Sequence, residues 1–197
     1  HENRYYLDGF GKTKQVATSD PGRGLRVFSG TVEHDAKGNV VRILFICSEY
    51  EGLIKTGGLA DACRGLAQSL KAQGHDVTVA LPRYAPLYDV QTGNWQSVYF
   101  QLAGRDFGCA VRHFELDGVN IALIEHDDFF RRSRPYDDGE HGYTDNPLRF
   151  AFFCKAVLEW QLQYGQSFDV IHGHDWQSAA AASPALRRQQ AGPCFSR

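Results

Sequence analysis

The chain has 197 residues and a mass of 22.1 kDa, which is enough for one well-packed domain with a short appendage. Its formal net charge of −2 argues against a nucleic-acid partner, because an electrostatic nucleic-acid binder needs a basic face. No apolar run approaches the roughly 20 residues that span a bilayer, so we expect no membrane contact. The five cysteines form no C-x-x-C pair, which favours free thiols in the reducing cytoplasm.

Residues 1–40 are rich in Gly, Lys, Asp and Ser, and we interpret them as a weakly ordered lead-in or linker. Within this segment, residues 25–28 are a candidate first strand of a short hairpin that turns at 35–39 into the next strand. The domain proper is expected to occupy residues 41–197.

The domain opens with a strand–helix–strand pattern. Residues 41–47 form a nearly continuous apolar run, which is typical of a parallel strand buried on both faces. Apolar residues then recur three or four apart over 59–72, and Gly74 stands where a helix often ends. Residues 77–81 predict the second strand. A βαβ unit of this kind favours a parallel sheet.

The second half of the domain mixes short strands with helices. Strands are predicted at 97–102, 109–116 and 120–125, with Asp117 and Gly118 as a hairpin turn. A long polar loop (126–143) precedes a helix over 146–164, whose first turn accommodates Pro147. A strand at 168–172 and a helix at 176–190 follow. The predicted fold is a Rossmann-like, doubly wound α/β domain with a mainly parallel sheet and a β-hairpin insertion.

The turn after the first strand carries the chemistry. Its sequence is Lys-Thr-Gly-Gly-Leu-Ala-Asp at 55–61, and it opens the first helix. Two glycines let the backbone approach a ligand closely, the helix N-terminus attracts an anion, and Lys55 adds a positive charge. The string is neither a G-x-G-x-x-G fingerprint nor a P-loop, in which the lysine follows the glycines. On spacing alone, a tight strand-to-helix connection explains Gly57 and Gly58 as well.

The whole string, with Cys47-Ser48-Glu49 before it, resembles the opening of bacterial glycogen synthases and plant starch synthases. The resemblance extends over about 41–188, because three further stretches agree in order and spacing: Leu-Pro-Arg-Tyr at 81–84, Tyr-Thr-Asp-Asn-Pro-Leu-Arg-Phe at 143–150, and Asp-Val-Ile-His-Gly-His-Asp-Trp at 169–176. It implies a retaining glycosyltransferase of the two-domain GT-B architecture. Such enzymes move glucose from ADP-glucose to the 4-hydroxyl end of an α-1,4-glucan without a further cofactor, in the cytoplasm of bacteria or the plastid of plants.

Residue by residue, the resemblance assigns donor binding to the glycine-rich turn. Lys55 matches the lysine that contacts the donor's phosphates, and Gly57 and Gly58 match the backbone that lies against the donor. Asp61 matches an acidic residue near the cleft, although it also suits a first helical turn through the helix dipole. Glu49 matches another acidic cleft position, and its place at the end of a strand favours function because α/β sheets bind ligands there.

The remaining candidates lie in two places, after the last predicted strand and within the long loop. Asp175 matches an aspartate of the cleft and is, with Glu49, a candidate catalytic group, although it also suits a helix N-cap. Tyr136 and His174 are candidates for sugar binding, and for Tyr136 a role as a packing anchor is equally open. We expect no metal site at His172 and His174, on the argument that strand alternation sends these side chains to opposite faces.

The chain stops before the family's next motif, a Thr-x-His-Asn segment, and before its nucleotide-binding C-terminal domain. We therefore expect this polypeptide alone to be inactive. Two alternatives remain open: a non-catalytic glucan-binding or regulatory module with the same fold, and another GT-B transferase with a different nucleotide sugar, UDP-glucose included. A flavodoxin-like binding domain explains the His-Asp-Trp segment poorly. The sequence does not give the oligomeric state or the acceptor length.

Overall fold

The computed structural model describes residues 40–183 and, before them, only the backbone of three short strands, β1 (Tyr6–Leu7), β2 (Thr13–Lys14) and β3 (Arg26–Phe28). The other strands are β4 (Arg42–Ile46), β5 (Asp76–Pro82), β6 (Trp95–Leu102), β7 (Arg105–Leu116), β8 (Val119–Glu125) and β9 (Val170–Gly173). The α-helices are α1 (Gly58–Ala72), α2 (Asp127–Phe130) and α3 (Asn146–Gln163), and 3-10 helices span Ala85–Leu87 and Trp176–Ala182. Within these residues, no helix combines the length and apolar character that crossing a membrane requires.

Seven strands form one sheet in the order β3-β9-β4-β5-β8-β7-β6. Strands β3, β9, β4, β5 and β8 run parallel, whereas β7 and β6 pair antiparallel at one edge. The central strand β4 is completely buried from Ile43 to Ile46, as its continuous apolar run predicted. The mainly parallel α/β architecture and the hairpin insertion are therefore confirmed.

The connections wind in two directions from β4. Strand β4 passes through α1 to β5 on one side, and β8 passes through α3 back to β9 on the other side of β4. Because parallel crossovers are right-handed, these opposite directions place α1 and α3 on opposite faces of the sheet. The order of the strands thus reverses between β4 and β9, and the carboxyl ends of these two strands border a crevice.

Helix α1 ends as its sequence predicts. Gly74 adopts a φ of +90°, and its amide donates to the carbonyl of Lys71 at 2.9 Å. The amide of His75 donates to the carbonyl of Leu70 at 3.1 Å, which completes a Schellman motif. The turn leads directly into β5 and fixes the βαβ unit over the residues where the sequence placed it.

The antiparallel part of the sheet is a meander joined by two-residue turns. Ala103 and Gly104 connect β6 to β7, Asp117 and Gly118 connect β7 to β8, and all four residues have positive φ. Turns of this kind match the right-handed twist of the strands, so pairing continues up to the turn residues. Strand β7 consequently begins earlier than the apolar pattern predicted, at Arg105, and β6 is also longer, beginning at Trp95.

The outer edge of β6 is covered by side chains from the end of α3. The Gln163 amide donates to the carbonyl of Tyr99 at 2.7 Å, and its oxygen accepts from the amide of Tyr99 at 3.3 Å. The Tyr164 hydroxyl donates to the carbonyl of Ser97 at 2.9 Å. These side chains occupy the backbone groups that an exposed edge strand would otherwise offer to another chain.

Two expectations about the chain ends change, and a third falls mostly outside the described residues. Strand β3 lies where the first hairpin strand was predicted, but it pairs in parallel with β9, so the predicted hairpin with β4 is wrong. The helix predicted at 176–190 is a 3-10 helix from Trp176 to Ala182, and its remainder lies outside the described residues. Most of the predicted lead-in (1–40) also lies outside them, and the boundary at 41 stays a prediction.

The long loop after β8 is held by one buried arginine. Arg149 on α3 is fully buried, and its guanidinium donates to the carbonyls of Phe129 at 2.7 Å and Pro135 at 3.1 Å. A third bond joins it to the side chain of Asn146 at 2.7 Å. Burial lowers the pKa of Arg149, and these bonds compensate part of the desolvation. The arginine thereby fixes the path of the loop to Tyr136, the next residue after Pro135.

Candidate functional site

The candidate site lies at the crevice between β4 and β9, where the strand order reverses. Ser48 and Glu49 follow β4, and His174 and Asp175 follow β9. The amide of His174 donates to the carbonyl of Ile46 at 3.0 Å, so the two segments leave the sheet side by side. The topology therefore gathers residues that are more than a hundred positions apart in sequence at the edge where α/β sheets bind ligands.

Glu49 is the centre of this site's hydrogen-bond network. Its Oε2 accepts from the amides of Thr56 at 2.5 Å and Gly57 at 3.1 Å, and its Oε1 accepts from the Thr56 hydroxyl at 2.6 Å. The hydroxyl of Tyr136 donates to the same Oε1 at 2.6 Å. Since the single proton of Tyr136 is used there, the Ser48 hydroxyl donates to Tyr136 at 2.7 Å.

These bonds define the charge state of the pair. Burial favours the neutral form of Glu49, but the bonds from Thr56, Tyr136 and Gly57 outweigh it and lower the pKa of the carboxyl group. Burial, followed by the bond to Glu49, raises the pKa of Tyr136. Glu49 is only 3% exposed and accepts from four donors, which suits a residue that holds the glycine-rich turn better than one that attacks a substrate.

Neither the backbone conformation nor the packing requires glycine at the two glycine positions of the turn. Neither Gly57 nor Gly58 has a positive φ, and a Cβ added at either position would meet no atom within 4 Å. Gly57 is the N-cap of α1; its own amide donates to Glu49, but glycine has no side chain with which to cap the amides that follow. The amides of the first turn of this 15-residue helix are therefore uncapped by the N-cap residue and carry partial positive charge.

Lys55 and Asp61 flank these uncapped amides in the sequence, the lysine before the helix and the aspartate in its first turn. The ammonium of Lys55 lies 2.5 Å from Oδ1 of Asp61, and both side chains are about half exposed, at 49% and 54%. The hydrogen bond to Asp61 raises the pKa of Lys55. An exposed pair of this kind adds little to stability, but it fixes the direction of a long, flexible side chain.

Asp175 has a strained backbone. Its φ of 61° and ψ of −177° fall in a region that is almost exclusive to glycine. Its carboxylate accepts from the amide of Trp176 at 2.6 Å and so caps the 3-10 helix, as the N-cap alternative predicted. The residue is exposed, and its charge contributes to the raised pKa of Tyr136. Strain of this kind persists only where the surrounding structure holds the residue in place.

The argument that His172 and His174 face opposite sides is wrong. Side chains two positions apart along an extended strand share a face, and the two rings lie 4.3 Å apart. The ring of His174 also packs against Phe45 at 4.5 Å, and its Nε2 is inaccessible to solvent. His174 therefore points inward beneath the site. Among the described residues, no group of three or more potential ligands is arranged to hold a metal ion.

Cys63 is a buried neighbour of the site that the sequence analysis did not connect to it. It is fully buried on α1, and interactions with the thiol of Cys47 and the imidazole of His174 lower its pKa. The helix periodicity assigned Cys63 to the core correctly, but no local signal connects it to a histidine on another strand. The thiol links the glycine-rich helix to the segment that carries Asp175.

An aromatic wall borders the crevice. The rings of Phe150 and Trp176 meet edge to face at 5.2 Å, and Tyr136 lies 6.0 Å from Phe150 and 6.2 Å from Trp176. Trp176 keeps 51% of its surface exposed. The structure thus brings the predicted Glu49, Gly57, Tyr136 and Asp175 together, with an exposed indole beside them.

A mainly parallel α/β sheet with a candidate binding site at the point where its strand order reverses is a Rossmann-like architecture. The family described as the starch synthase catalytic domain matches residues 42–196. The chain belongs to this starch synthase catalytic domain family, which confirms the resemblance found in its motifs.

Individual relatives agree. The chain is 37% identical over 156 residues to a glycogen synthase of Geotalea daltonii, and 40% identical over 165 residues to glycogen synthase 2 of Geobacter metallireducens. These matches cover 77% and 80% of this chain but only 32% and 33% of the relatives. The chain thus spans about a third of the length of these relatives.

A solved structure supports the same assignment. The catalytic domain of starch synthase IV from Arabidopsis thaliana, bound to ADP and acarbose, superposes with a TM-score of 0.64 at 30% sequence identity. The match covers 73% of this chain and 30% of that one.

Proposed function

We propose that the protein containing this chain transfers glucose from ADP-glucose to the 4-hydroxyl end of an α-1,4-glucan, with retention of the anomeric configuration. The bacterial relatives are glycogen synthases, and the solved neighbour binds ADP and acarbose, a nucleotide and an oligosaccharide analogue. The cytoplasm is the proposed location, in keeping with the free thiols of Cys47, Cys63, Cys109 and Cys154.

One observation carries the proposal. Gly57 and Gly58 leave the backbone at the N-terminus of α1 without covering side chains, although the fold would accommodate a side chain at both positions. A bare helix start beside a lysine is suited to an anion that approaches the backbone closely, as the diphosphate of a nucleotide sugar does. The N-terminus of α1 opens at the sheet edge where the strand order reverses.

The proposed roles follow from the contacts. Lys55 and the first amides of α1 stabilise the charge that develops on the leaving phosphate, and Asp61 orients Lys55 until the donor arrives. Glu49 acts as a positioning residue, since its bonds to Thr56 and Gly57 hold the turn in place.

The sugar side of the site is assigned to the groups that border the crevice. The exposed carboxylate of Asp175 can accept hydrogen bonds from sugar hydroxyls, and the rings of Tyr136 and Trp176 offer apolar faces to a sugar. For His174 an indirect role is proposed. Its ring packs inward against Phe45, and the next residue in the chain is the strained Asp175.

The test is glucose transfer from labelled ADP-glucose to maltoheptaose by the full-length protein, with UDP-glucose as the competing donor. Lys55→Ala should lower kcat by about a hundredfold or more, as expected for loss of one group that stabilises a developing charge. Lys71→Ala is the matched control, because Lys71 is an exposed lysine in the last turn of the same helix. Equal turnover in both variants would contradict the phosphate role, and absence of transfer by the unaltered protein would favour a non-catalytic glucan-binding module.

A further inference from the structure

A cavity opens on one side of α1, next to the glycine-rich turn. Its volume is about 390 Å³, and it is lined by Glu51, Asp61, Arg64, Gly65 and Gln68. The four residues from α1 stand at positions i, i+3, i+4 and i+7, so they lie on one face of the helix. Glu51 comes from the loop that precedes the turn. The cavity thus joins this loop to the face of α1 that carries Asp61.

Backbone bonds bring Glu51 next to Asp61. The amide of Glu51 donates to the carbonyl of Ala60 at 3.2 Å, and Ala60 directly precedes Asp61. The loop of residues 50–54 closes on itself through two backbone bonds of 3.0 Å between its first and last residues. Lys55 follows directly, so the position of this loop determines where the lysine side chain begins.

Two carboxylates therefore act on one ammonium group. The hydrogen bond to Asp61 raises the pKa of Lys55 most, and the charge of Glu51 raises it further. Lys55 is about half exposed, and its flexible stem lets the ammonium turn from one partner to another. A phosphate that binds this ammonium must displace the carboxylate that holds it. A second free carboxylate beside Lys55 would consequently weaken the binding of an anion.

Arg64 holds the second carboxylate. Its Nη1 donates to the carboxylate of Glu51 and, at 3.3 Å, to the backbone carbonyl of the same residue. Its Nη2 donates to Oδ2 of Asp117 at 2.6 Å, in the turn between β7 and β8. The guanidinium also lies against the backbone of Gly52, where an added Cβ would meet Nη1 at 2.8 Å. Since a guanidinium is a rigid fork, these contacts fix the direction of the Glu51 carboxylate.

We propose that Arg64 is a positioning residue for donor binding, and that it acts through Glu51. Its guanidinium engages the Glu51 carboxylate, which leaves Lys55 to Asp61 before the donor arrives and to the donor's phosphates afterwards. Arg64 itself is assigned no contact with the donor. The inference rests on the proposed phosphate role of Lys55.

A cycle of variants in the full-length protein tests this route of action. Arg64→Gln should lower kcat/KM for ADP-glucose about two- to fivefold, the scale of one exposed ion pair. In a Glu51→Gln background the same substitution should have no effect, because the competing carboxylate is already neutral. Arg64→Lys keeps a positive charge beside Glu51 and should recover most of the loss. Arg105→Gln is the matched control, since it removes an exposed arginine at the start of β7 and should leave kcat/KM unchanged.

A second measurement needs no donor. The pKa of the Lys55 ammonium can be followed by NMR of ¹³C-labelled lysine side chains, with Lys55→Ala to assign the signal. Arg64→Gln should raise this pKa, because the charge of Glu51 is no longer engaged. In the Glu51→Gln background the pKa of Lys55 should not respond to Arg64→Gln.

The outcomes separate this inference from the proposed function. An equal loss of kcat/KM with and without Glu51 means that Arg64 supports the fold or meets the donor directly, and it overturns the inference. An unchanged pKa of Lys55 in Arg64→Gln overturns it as well. A raised pKa with unchanged kcat/KM would reject the phosphate role of Lys55, while the arrangement of Arg64, Glu51 and Lys55 would stand.

Discussion

The hydroxyl of Tyr136 donates a 2.6 Å hydrogen bond to Oε1 of Glu49, across 87 residues of sequence. This bond ties the long loop after β8 to Glu49, which in turn holds the glycine-rich turn after β4. Tyr136 was predicted as a sugar-binding residue or a packing anchor. Its hydroxyl serves the second of these roles, while its ring borders the crevice.

Tyr136→Phe should destabilise the domain by about 1 kcal/mol, because it removes one donor from a buried carboxylate and keeps the ring. The measurement is urea unfolding followed by circular dichroism. Tyr164→Phe is the control, since its hydroxyl bonds to a carbonyl at the solvent-exposed edge of β6. Equal stability of both variants would show that the Glu49 bond does not hold the loop.

Glu49→Gln tests the charge of the central carboxylate. The pKa of Glu49 is lowered in the folded state, so its contribution is fully present above the unfolded value of about 4.3 and is lost as the pH falls through the folded pKa. We expect a loss of about 2 kcal/mol at pH 7, the scale of hydrogen bonds to a charged group. The difference between variant and unaltered protein should shrink below pH 4.

The control for the charge change is Glu115→Gln, an exposed glutamate on β7. Its effect should be small at every pH. A Glu49→Gln penalty that is independent of pH would mean that shape, and not charge, holds the turn.

Gly58→Ala separates stability from function. The added methyl group meets no atom within 4 Å, and alanine is favoured over glycine in a helix by up to about 1 kcal/mol. We therefore expect a protein of equal or higher stability whose full-length form binds the donor more weakly, because the methyl group occupies the space above the bare amides. Melting temperature and the KM for ADP-glucose are the two measurements.

Gly65→Ala is the matched control, because Gly65 lies on the same helix and a Cβ there also meets nothing within 4 Å. It should raise stability without changing KM. A parallel change of KM in both variants would show that helix stability, and not space for the ligand, matters at Gly58.

Asp175→Gly should leave the domain equally or more stable by about 1 kcal/mol. Glycine relieves a backbone strain of roughly 1–3 kcal/mol and costs only a few tenths as a cap. In the full-length protein the same change should reduce kcat/KM, since the exposed carboxylate is lost. Ala103→Gly is the control, because it relieves a positive φ of 51° in a turn of the meander. Undiminished activity of Asp175→Gly would remove Asp175 from the site.

Local patterns were sufficient for the central elements. The apolar run of β4, the periodicity of α1 and the glycine at position 74 each depend on neighbours a few residues away, so the sequence specified them closely. The chain ends were harder, because the pairing of β3 with β9 depends on contacts between distant segments.

The sequence by itself determined the family, the βαβ unit and the glycine-rich turn, because each is written in contiguous residues whose spacing carries the information. Only the tertiary structure decided which of the candidate site residues lie together. The parallel order of β9 and β4 sets Asp175 beside the turn, and buried Arg149 directs Tyr136 to Glu49. Packing between distant segments also turned His174 inward against Phe45 and left Trp95 and Tyr99 uncovered. Such contacts depend on how layers pack in three dimensions, and no local sequence pattern encodes them.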